Sequence, residues 1–194
     1  IIAAVVVAVL AIGGFFMMGN HDDTADSQSP TVNTDSLLKE AELAEFEACK
    51  ALFAYDEPDS IKSALTRMAA LAEKGNKDAI HEMAYTYAWI PNDTESDRRK
   101  RLLGWQIDNN GIPVSKEIRI SSIEWLEKSI NVTDSTDYKS LYWLSFYFLN
   151  AISVNQDFDK AHQLLQTARR QADQSQDLEV KGKIDDIIKQ IENI

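Results

Sequence analysis

The sequence predicts an all-α protein, a short α-solenoid of antiparallel helical hairpins behind an N-terminal transmembrane helix. Two observations support this prediction directly: the first 18 residues form one apolar run, and from residue 35 onward apolar side chains recur at helical spacing. A third is the scarcity of strand signals. Only the few residues around Asn109-Asn110-Gly111 show a possible strand and turn pattern.

Residues 1–18 are predicted to form a transmembrane anchor. They contain no charged side chain, and as a helix they would be about 27 Å long, close to the hydrocarbon thickness of a bilayer. A cleaved signal peptide is the alternative, but no small-residue cleavage site lies at the end of the run. The acidic residues Asp22, Asp23 and Asp26 come next and favour export of everything that follows the anchor.

Residues 19–34 and 35–56 differ in composition. The first stretch is polar and has too little apolar surface to fold, so we predict a disordered tether. The second stretch is predicted to be an acidic amphipathic helix, which Pro58 ends. Apolar residues at helical spacing alternate there with a set of glutamates: Glu40, Glu42, Glu45 and Glu47.

A helical hairpin is predicted around residue 75. Gly75 suits the position just past a helix end, where a left-handed backbone is favourable only for glycine. Asn76 can cap the next helix through its side-chain oxygen. Ala79, Met83 and Tyr87 are four residues apart and therefore share one face of that helix, which lets two helices pack closely.

Further helices are predicted beyond an irregular insertion at residues 91–117, and the helical domain as a whole is expected to span 59–194. The last helix carries a stripe of isoleucines suited to the end of a stack of hairpins. The apolar periodicity places these helices at about 118–130, 138–151, 157–173 and 177–193.

The turn resembles that of the Sel-like repeat family, a relative of the tetratricopeptide repeat. The family pattern A-x-E-x-G-x-x-x-A-x-x-x-L-G-x-x-Y is matched by Glu73, Gly75, Ala79 and Tyr87, and Ala72 lies one position after its first alanine. Methionine and alanine stand where its leucine and glycine are usual.

Two further copies of the repeat begin at Ser122 and Ala161, which correspond to Ala64 of the first copy. The three positions are 58 and 39 residues apart, so the first interval contains an insertion of roughly 20 residues relative to the usual repeat length. The resemblance covers about residues 59–175 and implies a module that binds proteins.

No residue pattern indicates catalysis, a metal site or a cofactor. The lone Cys49 lies on the apolar side of its predicted helix, which indicates a buried small side chain. His21, His81 and His162 lack partners at metal-ligand spacing, and the glycines form no phosphate loop. No serine lies in a recognisable nucleophile turn. We therefore predict a non-enzyme.

The net charge of −11 is concentrated near the N-terminus, with 11 acidic and 3 basic residues from Asp22 to Lys62. Nucleic acid is an improbable partner, because phosphate contacts need clustered Lys and Arg. The acidity fits either a solvated helix face or a basic protein partner.

The exception is the basic run Arg98-Arg99-Lys100-Arg101, followed by Trp105 inside the insertion. Arginine and tryptophan are typical of protein interfaces, so these five residues are candidate partner-binding residues. Contact with anionic lipid headgroups is one alternative. Another is a short amphipathic helix that packs Leu102 and Trp105 on the core and leaves its charges in solvent. We expect charge reversal of Arg98 and Arg101 to leave folding intact.

Tyr142 and Trp143 are also candidate partner-binding residues. They belong to an aromatic-rich helix in which neighbouring side chains cannot all point into one core. Some of this apolar surface must face either the next hairpin or a binding groove.

The expected function is that of a single-pass inner-membrane protein whose soluble domain lies in the periplasm and captures another protein. Among membrane-anchored Sel-like proteins of Gram-negative bacteria, the resemblance implies immunity as one role, in which the protein blocks a toxic secreted effector such as a lipase. The alternative is a scaffold or regulatory subunit of a cell-envelope complex. An envelope hydrolase is the third hypothesis, disfavoured by the lack of a catalytic constellation.

Overall fold

Helices make up the regular structure wherever the computed structural model describes the chain, at residues 34–132 and 137–193. The predicted all-α class is confirmed for these residues, whose β-type pairing is limited to an isolated bridge between Ile107 and Pro113. The predicted anchor and nearly all of the predicted tether lie outside the described residues. The helices are α1 (Thr34–Phe53), α2 (Pro58–Glu73), α3 (Lys77–Tyr87), α4 (Thr94–Leu102), α5 (Lys116–Val132), α6 (Tyr138–Leu149), α7 (Phe158–Gln174) and α8 (Leu178–Glu192).

The turn between α2 and α3 has the predicted geometry. Gly75 has a φ of +87°, in the left-handed region, and the side-chain oxygen of Asn76 accepts a hydrogen bond from the N–H of Ala79 at 2.9 Å. A comparable short turn joins α7 to α8, where Gln176 has a positive φ of 58° and Asp177 caps the helix. In both places a left-handed residue ends one helix and a polar side chain starts the next.

Helices that follow one another in the chain pack side by side. Contacts run from α2 to α3, from α3 to α5, and onward through α6, α7 and α8, while α4 lies against α2 and α3. The short turns make α2–α3 and α7–α8 helical hairpins. Apart from α4, each helix from α2 to α8 therefore packs mainly on its neighbours in sequence.

The buried side chains form two clusters. The first, between α1, α2 and α3, contains Phe53, Ile61 and Met68. The second surrounds α6 and contains Trp143 and Tyr147. In the second cluster the buried Tyr147 hydroxyl accepts a hydrogen bond from the backbone N–H of Trp89 at 2.8 Å, which fixes the end of α3 on α6. Trp125 of α5 contacts both clusters and joins them.

The first half of α1 extends away from these clusters. Leu37, Leu38 and Leu43 are 42%, 61% and 57% exposed, whereas Phe46, Cys49 and Phe53 further along the helix are buried. The burial of Cys49 agrees with the expectation of a small core side chain. None of the helices within 34–132 and 137–193 combines the length and the apolarity that a membrane crossing requires.

Candidate partner-binding site

The basic run lies on α4, a helix inside the stretch that we expected to be irregular. The Asp93 side chain caps this helix, because its Oδ1 accepts hydrogen bonds from the N–H groups of Glu95 and Ser96 at 3.1 and 3.0 Å. Acidic residues in the first turn and basic residues in the last turn complement the helix dipole. The cap and the charge order therefore stabilise a helix that lacks an apolar stripe.

Arg98 forms hydrogen bonds and an ion pair with the end of α1 and the turn after it. Its guanidinium donates to the carbonyl oxygens of Phe53 at 2.5 Å and Tyr55 at 3.2 Å, and it pairs with Asp56 at 2.7 Å. The last carbonyls of a helix lack intrahelical donors, so Arg98 caps the end of α1. The expectation that charge reversal here leaves folding intact is corrected, because reversal would remove this cap.

Arg99 is likewise held within the fold, with a side chain that is only 12% exposed. It forms ion pairs with Glu82 of α3 at 2.5 Å and with Glu95 of its own helix at 2.9 Å. Its guanidinium also lies over two rings, 4.3 Å from the centre of Phe53 and 5.0 Å from that of Tyr85. Arg99 therefore connects α1, α3 and α4 and offers little surface to a partner.

Lys100 is fully buried, and its ammonium group donates to the Ser96 hydroxyl at 2.7 Å. Burial lowers the pKa of Lys100 to about 8, against the opposing attraction of Asp97 and Asp93. A buried ammonium with these partners cannot contact a second protein without opening of the fold.

Arg101 and Trp105 differ from the three preceding cations. Arg101 is exposed and forms no ion pair with any residue in the described parts of the chain. Trp105 is half-buried, with its ring 4.7 Å from that of Tyr87. The interface role expected for the basic run stays a prediction, and these two residues are the members with accessible surface.

Tyr142 and Trp143 line a groove of about 680 Å³ that we call the aromatic groove. Helices α3, α6 and α8 contribute its walls, together with residues 90–93. Its apolar lining residues include Tyr85, Tyr142, Trp143, Phe146, Val180 and Ile187. The groove therefore brings together the predicted candidates Tyr142 and Trp143 and residues from helices far apart in sequence.

Ring contacts hold the walls of the aromatic groove in place. The Trp143 ring lies 5.6 Å from that of Tyr85 and stacks on His81 at 5.7 Å. Tyr142 meets Phe146 edge to face at 4.9 Å. Trp143 is buried at 7% exposure, whereas Tyr142 is half-buried. Trp143 thus forms part of the floor, and Tyr142 supplies more of the reachable surface.

A polar cluster behind this floor was not anticipated from the sequence. The buried Asp137 carboxylate caps α6 through the N–H of Ser140 at 3.0 Å and accepts hydrogen bonds from Ser129 and from His81, the latter at 2.9 Å. Since a carboxylate only accepts, the His81 Nδ1 atom must carry the proton. The cluster connects α3, α5 and α6.

The two charged members of this cluster perturb each other. Burial alone would raise the pKa of Asp137, but the hydrogen bonds and charge of His81, with Ser129 and Ser140, lower it to about 2. Burial alone would lower the pKa of His81, but the hydrogen bond and charge of Asp137 raise it. His81 and Asp137 are 56 residues apart, so no local pattern could have revealed the pair.

The order of groups in the cluster argues for a structural role. A serine nucleophile is activated by a histidine placed between it and the carboxylate. Here Asp137 lies at the centre and accepts from both Ser129 and His81. Within residues 34–132 and 137–193, no group of three or more His, Cys, Asp or Glu side chains is arranged to hold a metal ion.

These contacts divide the candidate residues into two groups. The first group is held within the fold and contains Arg98, Arg99, Lys100 and Trp143, whereas the second retains accessible surface and contains Arg101, Trp105 and Tyr142. The geometry is suited to holding a partner chain in the aromatic groove. No protein-family model, curated protein or solved structure matches this chain.

Proposed function

We propose that this chain is a non-catalytic protein-binding module, and that its aromatic groove holds an apolar segment of a basic partner protein. The observation that carries the proposal is the continuity of the groove across α3, α6 and α8. Three helices distant in sequence bring aromatic and aliphatic side chains together there, with charged residues such as Lys183 and Asp186 beside them, as in proteins that receive a partner helix in a groove.

The chemistry of the surface suggests the character of the partner. Tyrosine and tryptophan provide large contact area at low cost in side-chain entropy, and such residues dominate interface energies. The whole chain carries a net charge of −11, which would attract a basic protein and accelerate its association. An apolar anchor segment on a basic protein satisfies both features.

The location and the biological role rest on the sequence. In this proposal residues 1–18 anchor the protein in the inner membrane, and the module faces the periplasm. The resemblance to Sel-like repeats supports stacked hairpins of a short α-solenoid. It also supports immunity, in which the captured protein is a toxic secreted effector.

The groove is tested with a matched pair of variants. Cross-linking of the full chain to envelope proteins identifies its partner. Calorimetric titration then measures the affinity of the purified partner for this chain. Ile187→Glu places a charge in the groove, whereas Ile120→Glu makes the same change at an exposed position of α5 outside it. We expect Ile187→Glu to weaken binding at least about tenfold, or roughly 1.4 kcal/mol, and Ile120→Glu to leave it unchanged. Equal affinities of the two variants would exclude the groove.

Two further readouts address the role and the location. A captured protein that is toxic when produced without this chain supports immunity, whereas a resident envelope subunit supports the scaffold alternative. A reporter fused after Ile194 should be active outside the cytoplasm. Strong cytoplasmic activity would contradict the proposed orientation.

A further inference from the structure

A second recess lies beside the aromatic groove and differs from it in chemistry. It has a volume of about 740 Å³ and lies between α4, the chain after α3, and the turn at residues 107–112. Pro91 and Asn92 border both cavities. We call it the polar recess, since its lining residues include Asn92, Asp97, Arg101, Asp108, Asn109 and Asn150.

Hydrogen bonds fix the walls of the polar recess. Asp108 Oδ1 accepts from the N–H groups of Asn110 and Ile112 at 2.8 and 2.9 Å, which closes the turn. The Trp89 indole donates to the Asn110 carbonyl at 2.8 Å and holds the turn against the chain that follows α3. Gly111 has a φ of +79°, and a Cβ there would come within 2.8 Å of the Asp97 carboxylate. The turn is thus seated directly on α4, and the recess is preformed.

Hydrogen-bonding groups in the polar recess remain available for a ligand. The Oδ1 atom of Asp97 is shielded from solvent next to Gly111, and Lys100 approaches it to 3.9 Å, so Asp97 shapes the wall without offering this oxygen to a ligand. Arg101 lies in the wall with an exposed guanidinium that is unpaired within 34–132 and 137–193. The recess therefore offers a donor from Arg101, in addition to asparagine amides that can both donate and accept.

The same groups exclude several ligand classes. Asp97 and Asp108 would repel a phosphate or carboxylate on a chain that is already strongly negative. A metal ion would need a set of ligands that the described residues do not assemble. An apolar ligand would leave the asparagine and aspartate groups unpaired at considerable cost.

A hydroxyl group both donates and accepts, so a ligand with several neighbouring hydroxyls can satisfy Asp, Asn and Arg side chains together. We propose that the polar recess binds a neutral, hydroxyl-rich ligand, a segment of a sugar chain. The volume lies within the range of small-ligand sites. This inference is independent of the aromatic groove and of the partner proposed for it.

Ligand-observed NMR on the full chain tests the inference, in a zwitterionic detergent without a sugar headgroup. The probes are three neutral hexasaccharides, of glucose, mannose and N-acetylglucosamine, and a polar Gly-Ser peptide of similar size. Arg101→Ala and Asn109→Ala alter the recess, and Arg170→Ala makes the same change at an exposed arginine of α7. Thermal melts confirm that all variants fold.

At least one hexasaccharide should bind with a Kd of about 1 mM or tighter, and both recess variants should weaken it at least about fivefold, with Arg170→Ala unchanged. Absence of saturation by every hexasaccharide at about 10 mM would overturn the inference. Equal weakening by Arg101→Ala and Arg170→Ala would also overturn it. Binding of the peptide in place of the sugars would reassign the recess to a polar protein loop.

Discussion

The two buried clusters of this protein are completed in different ways. Around α1, α2 and α3 the core is mostly aliphatic, and arginines of α4 close it by capping α1 and pairing with α3. Around α6 the core is rich in aromatic rings, which continue outward into the groove. The comparison teaches that a basic run can be structural while an aromatic core leaves ring surface accessible in a groove.

Removal of Arg99 should have the largest effect, and it tests whether α4 closes the first buried cluster. Arg99→Ala would leave the largely buried Glu82 without its cation and remove the contacts with Phe53 and Tyr85. We expect a loss of about 2–3 kcal/mol in the free energy of unfolding, measured by denaturant titration. The matched control Arg101→Ala, two residues along the same run, should change it by less than about 0.5 kcal/mol. Similar values for the two variants would show that α4 does not hold the first cluster together.

A smaller effect is expected at the turn that belongs to the first cluster. Gly75 has no atom within 4 Å of a would-be Cβ, so substitution there tests backbone conformation alone. Gly75→Val should cost more than about 1 kcal/mol, because a β-branched residue is poorly tolerated at positive φ. Gly75→Asn, which tolerates that conformation, should cost less. An unchanged melting temperature for the valine variant would contradict the assigned turn.

The stability of the packing between α3, α5 and α6 should depend on pH through the His81–Asp137 pair. Because the folded pKa of His81 is raised, its stabilising contribution is complete below the unfolded value of 6.5 and is lost as pH rises through the raised pKa. The lowered pKa of Asp137 makes its contribution complete above 3.8 and lost as pH falls towards about 2. Glu82 and Lys139 act on His81 in opposite directions.

His81→Gln should therefore be most destabilised relative to the natural chain between pH 3.8 and 6.5, and the difference should shrink on either side. Melts across this range measure it, with His162→Gln on α7 as the control. If the difference in melting temperature between His81→Gln and the natural chain does not vary with pH, the His81–Asp137 pair is not ionised.

Local signals predicted much of the fold. Helices α5 to α8 begin and end within two residues of their predicted bounds, because apolar periodicity and polar caps mark them. The helix inside the insertion was harder to predict, because α4 has no apolar stripe and depends on the Asp93 cap and on contacts with α1 and α3. Arg98 reaches a carbonyl 45 residues away, a pairing that no spacing rule reveals.

The site was predictable only to the extent that it follows from helix geometry. Neighbouring aromatic residues on α6 predicted contact with either the next hairpin or a groove, and the structure places Tyr142 and Trp143 in the lining of the aromatic groove. Val180 and Ile187 of α8 join it only through the order in which the helices pack. That order is a tertiary property, set by contacts between distant segments.

The most direct test of the account is the partner affinity of Arg98→Ala compared with that of Tyr142→Ala, measured by calorimetry below the melting temperatures of both variants. If the arginine run supports the fold and the aromatic groove binds the partner, Tyr142→Ala should lose at least about tenfold in affinity. Arg98→Ala should stay within about threefold of the natural chain once folded. A loss of affinity in Arg98→Ala that equals or exceeds that of Tyr142→Ala would contradict the account.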